Sequence, residues 1–242
     1  MSNPILNENR FQSTVLEGEP MTVQGTINKV GILFACLLMG AGFTLYMIFG
    51  GMKELVPIFS TASAIIGFVL VLISSFNIKM TKYLAAPYAL FEGIFIGSVS
   101  YLFETNFPGI VLHAVFGTFV VLGVMLFLYK TKTIQYTDKF AAVLKTSLLS
   151  VFAIYLIQII ASFFSRGIPG IFEAGMVGII FSVVVVVIAS MSLIQDFFFI
   201  ETASQNMLNK DYEWFGAMGL MVTLVWLYME ILRLLAKVNS RR

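Results

Sequence analysis

Long apolar runs separated by short polar punctuation fill the chain from about residue 29 onward. Stretches of about 20 apolar residues recur between clusters of charge, Pro and Gly, at 29–50, 55–77, 83–104, 108–129, 141–164, 171–200 and 213–236. A hydrocarbon layer about 30 Å thick is crossed by about 20 apolar residues in helical form. The pattern therefore predicts seven membrane-spanning helices. The ten-residue alternation of a membrane barrel is absent, and backbone groups in lipid have to be satisfied within each segment, so strands are excluded. The connections are short ("GMKE", "NIKMTK", "TNFP", "KTKTIQYTDK", "SRGIPG"), except for the longer polar stretch "TASQNMLNKDYE" before the last span.

Three parts follow from this pattern: a polar tail over 1–28, a helical membrane domain over 29–236 and a basic tail over 237–242. The first tail carries Glu8, Glu17 and Glu19 and has no basic n-region ahead of a short apolar core. No cleaved leader is expected, and the first span is expected to act as its own insertion signal.

Composition sharpens the class. Of 242 residues, 59% are hydrophobic and 12% charged, against roughly a quarter charged in a soluble domain. No separate soluble domain fits. A formal charge of +2 does not point to nucleic acid, and the single Cys36, inside an apolar run, has no intramolecular disulfide partner.

Charge sets the expected orientation. Arg10, Lys29, Lys79, Lys82, Lys130, Lys132, Lys139, Lys145 and Lys210 fall on the N-terminal side of the membrane, whereas the opposite loops hold Lys53 and Arg166. The positive-inside rule then makes the N-terminus cytoplasmic. Seven crossings would leave the C-terminus outside, yet Arg233, Lys237, Arg241 and Arg242 crowd that end. Either the last helix crosses against the rule or it stops short.

Four ionisable residues lie within the apolar runs, where a charge costs at least about 2.5–3.5 kcal/mol and usually faces a pathway or the bundle interior. They are Glu92 in "YALFEGIFIG", His113 in "IVLHAVFG", Asp196 in "SLIQDFFFIE" and Glu230 in "WLYMEILRLL". His113 follows Pro108 closely and reads as interfacial. Glu92, beside Gly93, reads either as a hydrogen-bonded structural acid or as part of a pathway. Gly93 and Gly97 are spaced for close helix approach, and Trp214 and Tyr212 read as interfacial anchors.

Asp196 and Glu230 lie on consecutive helices joined by one loop. Two carboxylates meeting in a dry site cannot both ionise cheaply, so such a pair can hold one proton between them or collect a hard cation such as calcium, although two carboxylates fall short of its usual six to eight oxygen donors. The competing reading is an intrahelical ion pair of Glu230 with Arg233, three residues on. Register matters too. For the acids to meet, the sixth helix has to continue to about residue 208 and the seventh has to begin only near Gly216.

Several segments together resemble a known family. "NPILNENRF", "MTVQGTINK", "APYALFEGIFIGSVSYLFE", "IQDFFFIE" and "EWFGAMGLMVTLVWLYMEILRLL" are similar, in this order, to the bacterial branch of the Bax inhibitor-1 (transmembrane Bax inhibitor motif) family. The resemblance implies an all-α fold of seven transmembrane helices, with the last helix central between two three-helix layers. It also implies a pH-sensitive calcium leak channel of the bacterial cytoplasmic membrane, gated by proton sharing between Asp196 and Glu230, with these two acids as tentative calcium ligands. Two departures stand out. The second acid is Glu rather than Asp, and the second span, "LVPIFSTASAIIGFVLVLISSF", has no basic residue to serve the latch. Arg233 is then the nearest charge partner and Glu92 a candidate pathway residue.

Other classes were weighed. An intramembrane aspartyl protease lacks its Gly-x-Gly-Asp context around Asp196, and no His-Glu-x-x-His motif is present; no enzyme and no cofactor are expected. A seven-helix photoreceptor would need a central Lys on the last helix. The standing alternative is a non-transporting regulator that binds a membrane protease or another assembly through its N-terminal tail.

Overall fold

The computed structural model describes residues 19–164 and 170–241. Seven long helices follow one another: α1 (Val23–Phe49), α2 (Val56–Phe76, entered through a 3-10 turn at Lys53–Leu55), α3 (Ile78–Asn106), α4 (Ile110–Lys130), α5 (Asp138–Phe163), α6 (Met176–Gln205) and α7 (Asp211–Asn239). All seven are long and apolar enough to cross a membrane.

Local chemistry sets the ends. Thr22 caps α1 by accepting from the Gly25 amide at 2.9 Å, and Thr137 caps α5 by accepting from Phe140 at 3.2 Å. Gly109, at φ +85°, makes the left-handed step into α4 that a side chain would resist. Glu104 then satisfies the exposed amides of Gly109 (2.6 Å) and Val111 (3.1 Å) at the start of that helix.

Four expected boundaries move by five residues or more, two of them at α6, which runs Met176–Gln205 rather than 171–200. α1 begins at Val23 rather than residue 29, because the polar residues "VQGTIN" are already helical and two of them, Gly25 and Thr26, pack inward. α3 begins at Ile78 rather than 83, taking Lys79 and Lys82 into its first turns. Of the expected N-terminal tail, residues 1–18 lie outside the described residues, as do Arg166 and Arg242.

Burial ranks the helices. In its most apolar window 72% of α7 is buried within the protein, against 11% for α2 and α5 and 44% for α3 and α6. The last helix is therefore the enclosed, central one. Large exposed side chains such as Phe76, Leu112, Phe116 and Phe152 present the apolar surface that lipid covers.

The chain clusters into two compact units, residues up to Val99 with Phe198–Met221, and Ser100–Phe197 with Val222–Arg242. In the first, α1 and α3 pack backbone against backbone. A Cβ on Gly93 would sit 2.0 Å from the Leu37 carbonyl oxygen and one on Gly40 2.1 Å from that of Leu90. Thr44 crosses the same contact, donating to the Ile94 carbonyl at 3.0 Å. The expectation of close approach at Gly93 and Gly97 is met. In the second unit, Gly117 lies against Ile231 of α7, and Ser100 and Tyr228 share a hydrogen bond of 2.6 Å.

Candidate functional site

Asp196 lies nine residues before the end of α6, about 14 Å along the helix. Its carboxyl is hydrogen-bonded by the buried Thr223 on α7. Its second oxygen, Oδ2, is sealed from solvent and has no hydrogen-bond partner among the described residues. A half-satisfied carboxyl in a dry interior is a rare arrangement in a folded protein.

Glu230 is held quite differently. Its Oε1 accepts from the Tyr155 hydroxyl (2.8 Å), from Trp226 Nε1 (3.2 Å) and from Arg233 Nη1 (2.9 Å). Arg233 also donates to Tyr155 at 3.3 Å and lies over its ring. The intrahelical pair of Glu230 and Arg233, one of the two readings of the sequence, is present.

The register demand for the two acids to meet is not fulfilled. α6 ends at Gln205 and α7 starts at Asp211. With Asp196 on Thr223, Glu230 lies seven residues further along α7, about 10 Å of helical rise away. The residue of α6 abreast of Glu230 is near Ala189. The two carboxylates thus occupy separate environments, and a calcium ion held by both would require them to converge. Among the described residues no group of three or more His, Cys, Asp or Glu lies together to hold a metal ion.

The remaining candidates divide. Glu92 is half-buried beside Tyr88 and so close to α2 that a Cβ on Gly67 would sit 3.1 Å from its Oε2. Among the described residues it has no hydrogen-bond or ion-pair partner. His113 is exposed on the first turn of α4, and its Nδ1 donates to the Gly109 carbonyl at 2.6 Å, as an interfacial residue should.

The basic crowd at the C-terminal end also finds its reason. α7 is a continuous helix of 29 residues, long enough to cross. Arg233 is paired with Glu230, and Lys237 gives its three N–H groups to the Ile171 carbonyl (3.1 Å), the Gly178 carbonyl (3.0 Å) and Ser182 Oγ (2.9 Å).

One acid escaped sequence reasoning. Glu213, in the polar stretch before α7, is 2% exposed. Its Oε1 accepts from the Thr22 amide (2.8 Å) and hydroxyl (3.1 Å), and Lys29 pairs with Oε2 while lying over the Trp214 ring. Around it residues 19–22 form a strap. Pro20 bridges antiparallel to Asn209, the Met21 amide donates to Leu208, the Lys210 amide donates to the Glu19 carbonyl, and the Met21 side chain fills a socket with Ile200 and Ala203. The only local hint was the caps-like "MTVQG"; the partners are some 190 residues apart in sequence.

Comparison with known proteins decides the family. A family model described as Bax inhibitor 1 like matches residues 3–240, nearly the whole chain. The chain belongs to that family. No curated protein was found to match its sequence. As a member of the Bax inhibitor 1 like family it is a multi-pass membrane protein of a channel or regulator group, and the seven helices embed it in a lipid bilayer.

Proposed function

We propose that this Bax inhibitor 1 like protein is a proton-sensitive cation leak of a bacterial cytoplasmic membrane, with its N-terminus in the cytoplasm and calcium as cargo rather than as a resident ion. Transport, not catalysis, is its role. Asp196 and Glu230 are its proton-responsive acids, Glu92 a pathway acid and Arg233 the charge partner.

The observation that carries this reading is the Oδ2 of Asp196, sealed from solvent within an apolar span and without a partner among the described residues. A charge there has one hydroxyl to answer it, so gain or loss of a proton changes the local balance of forces between α6 and α7 more than at any fully hydrogen-bonded acid. Given the register of the two helices, the acids are two stations rather than one shared-proton pair. Glu230, already neutralised by Arg233, guards the far end of α7, while Asp196 senses protons within α6.

The test is calcium flux into dye-loaded liposomes containing the purified protein, measured across pH. The wild type is expected to leak in a pH-dependent way, and Asp196→Asn with Glu230→Gln to lose that dependence. An unaltered pH response in the double variant overturns the proposal.

A second reading, a regulator docking through its tail, draws on the strap, which anchors the tail's base to the loop between α6 and α7. Deleting residues 1–18, which spares the strap, separates the two: a leak persists, whereas a docking protein loses its partner.

A further inference from the structure

We infer that the cavity beside Glu230 is a binding site for a phospholipid headgroup that carries both a primary ammonium and a phosphodiester, the ethanolamine type. This inference stands independently of the leak. The cavity encloses about 670 Å³, within the range of small-ligand sites, and aromatic side chains, among them Phe103, Phe107, Phe172 and Phe181, form its apolar wall.

Its polar wall offers charges of both signs. The Glu230 side chain is 1% exposed, yet all three of its hydrogen bonds fall on Oε1. Oε2 has no partner among the described residues, and Glu230 is one of the residues lining the cavity. Arg233, which also lines it, spends only Nη1 on partners among the described residues, Glu230 and Tyr155, and its side chain is 43% exposed. The rest of a guanidinium with five N–H donors is left for a ligand. Lys237, in contrast, has spent all three N–H groups on the protein.

This pattern discriminates among ligands. A purely anionic headgroup would meet Arg233 but bring a second negative charge to the open oxygen of Glu230. A simple cation would meet Arg233. A headgroup with an ammonium for Oε2 and a phosphodiester for the guanidinium satisfies both. A trimethylammonium has no N–H to give Oε2.

Depth agrees with a lipid source. Arg233 lies 19 residues beyond the interfacial Trp214 on one continuous helix, about 29 Å, close to the thickness of the hydrocarbon layer. It therefore stands at headgroup level in the opposite leaflet.

The test uses the full chain in detergent with Trp214→Phe, so that Trp226, which donates to Glu230, is the remaining tryptophan and reports on the site. Its fluorescence is titrated with dihexanoyl phosphatidylethanolamine, phosphatidylcholine and phosphatidylglycerol and with soluble O-phosphoethanolamine. Saturable binding of the ethanolamine lipid, at least about ten-fold tighter than the choline and glycerol lipids, is expected. Arg233→Gln is expected to weaken it by about ten-fold or more, with helicity unchanged by circular dichroism. Equal affinity for all three lipids, or no saturable change, overturns the proposal without relying on any variant. O-phosphoethanolamine binding as tightly as the lipid would overturn the lipid source.

Discussion

Two glutamates of α7, Glu213 and Glu230, are both almost wholly buried, yet their surroundings differ in kind. Glu213 is answered on both oxygens, by two groups of Thr22 and by the ammonium of Lys29. Among the described residues Glu230 is answered three times on one oxygen and not on the other, and it lines a cavity. Asp196 goes further, with one oxygen sealed and, among the same residues, unanswered. Full satisfaction is what a structural acid needs, because a buried charge without partners is costly. Partial satisfaction is retained where a proton or a ligand completes the set. On the proposed reading the strap around Glu213 is a fastening, and Asp196 and Glu230 are the responsive acids.

Substitutions can break that contrast. Glu213→Gln leaves the Lys29 ammonium, whose side chain is 13% exposed, without its counter-charge. Loss of one partner of a buried pair costs about 3–5 kcal/mol. The thermal unfolding midpoint in detergent is expected to fall sharply, while surviving folded protein keeps the wild-type pH profile of flux. A changed profile would place Glu213 among the responsive acids.

Gly93→Ala tests fastening at the helix contact, where the added Cβ would strike the Leu37 backbone oxygen. Overpacking of this kind costs about 1–3 kcal/mol, read as a lower unfolding midpoint. Gly123→Ala, which meets nothing within 4 Å, is the control and should be near neutral.

Glu230→Gln should cost less than Glu213→Gln. The amide oxygen can still accept from Tyr155 and Trp226, and Arg233, being 43% exposed, keeps access to solvent. About 1 kcal/mol or less is expected for a pair so placed, with a shift in Trp226 emission. A loss as large as that of Glu213→Gln would erase the distinction between the two acids.

The smallest effect belongs to Glu19 and Lys210, which pair at the edge of the strap. The hydrogen bond and charge of Lys210 hold the Glu19 carboxyl below its ordinary range, and Glu19 raises Lys210 in turn. The contribution of Glu19 is complete above the ordinary carboxylate range and disappears as pH falls through its lowered value. That of Lys210 is complete below the ordinary lysine range and disappears as pH rises through its raised value. The difference in unfolding midpoint between wild type and Glu19→Gln should therefore be small at neutral pH and vanish in acid. A difference that grows in acid would contradict the assignment.

Much of this architecture was legible in the chain because lipid imposes a simple rule of length and polarity on each segment. All seven spans follow from it, the small-residue contact at Gly93 followed from the spacing of Gly93 and Gly97, and the enclosed last helix was implied by the family resemblance alone. Helix ends were less legible, since Val23–Asn28 and Lys79–Lys82 continue a helix after hydropathy stops. The relation between Asp196 and Glu230 was least legible of all. It depends on where α6 ends and α7 begins, and a loop of a few residues shifts one acid past the other by a turn or more. Glu213 was missed because its partners come from the far end of the chain, and no local pattern announces a contact between residues 22, 29 and 213.

The most direct test of a proton-responsive centre at Asp196 is the pH profile of calcium flux through liposomes carrying the single variant Asp196→Asn. The account predicts a flux whose pH dependence is reduced to the part carried by Glu230, which the further change Glu230→Gln removes. A wild-type profile in Asp196→Asn would contradict it.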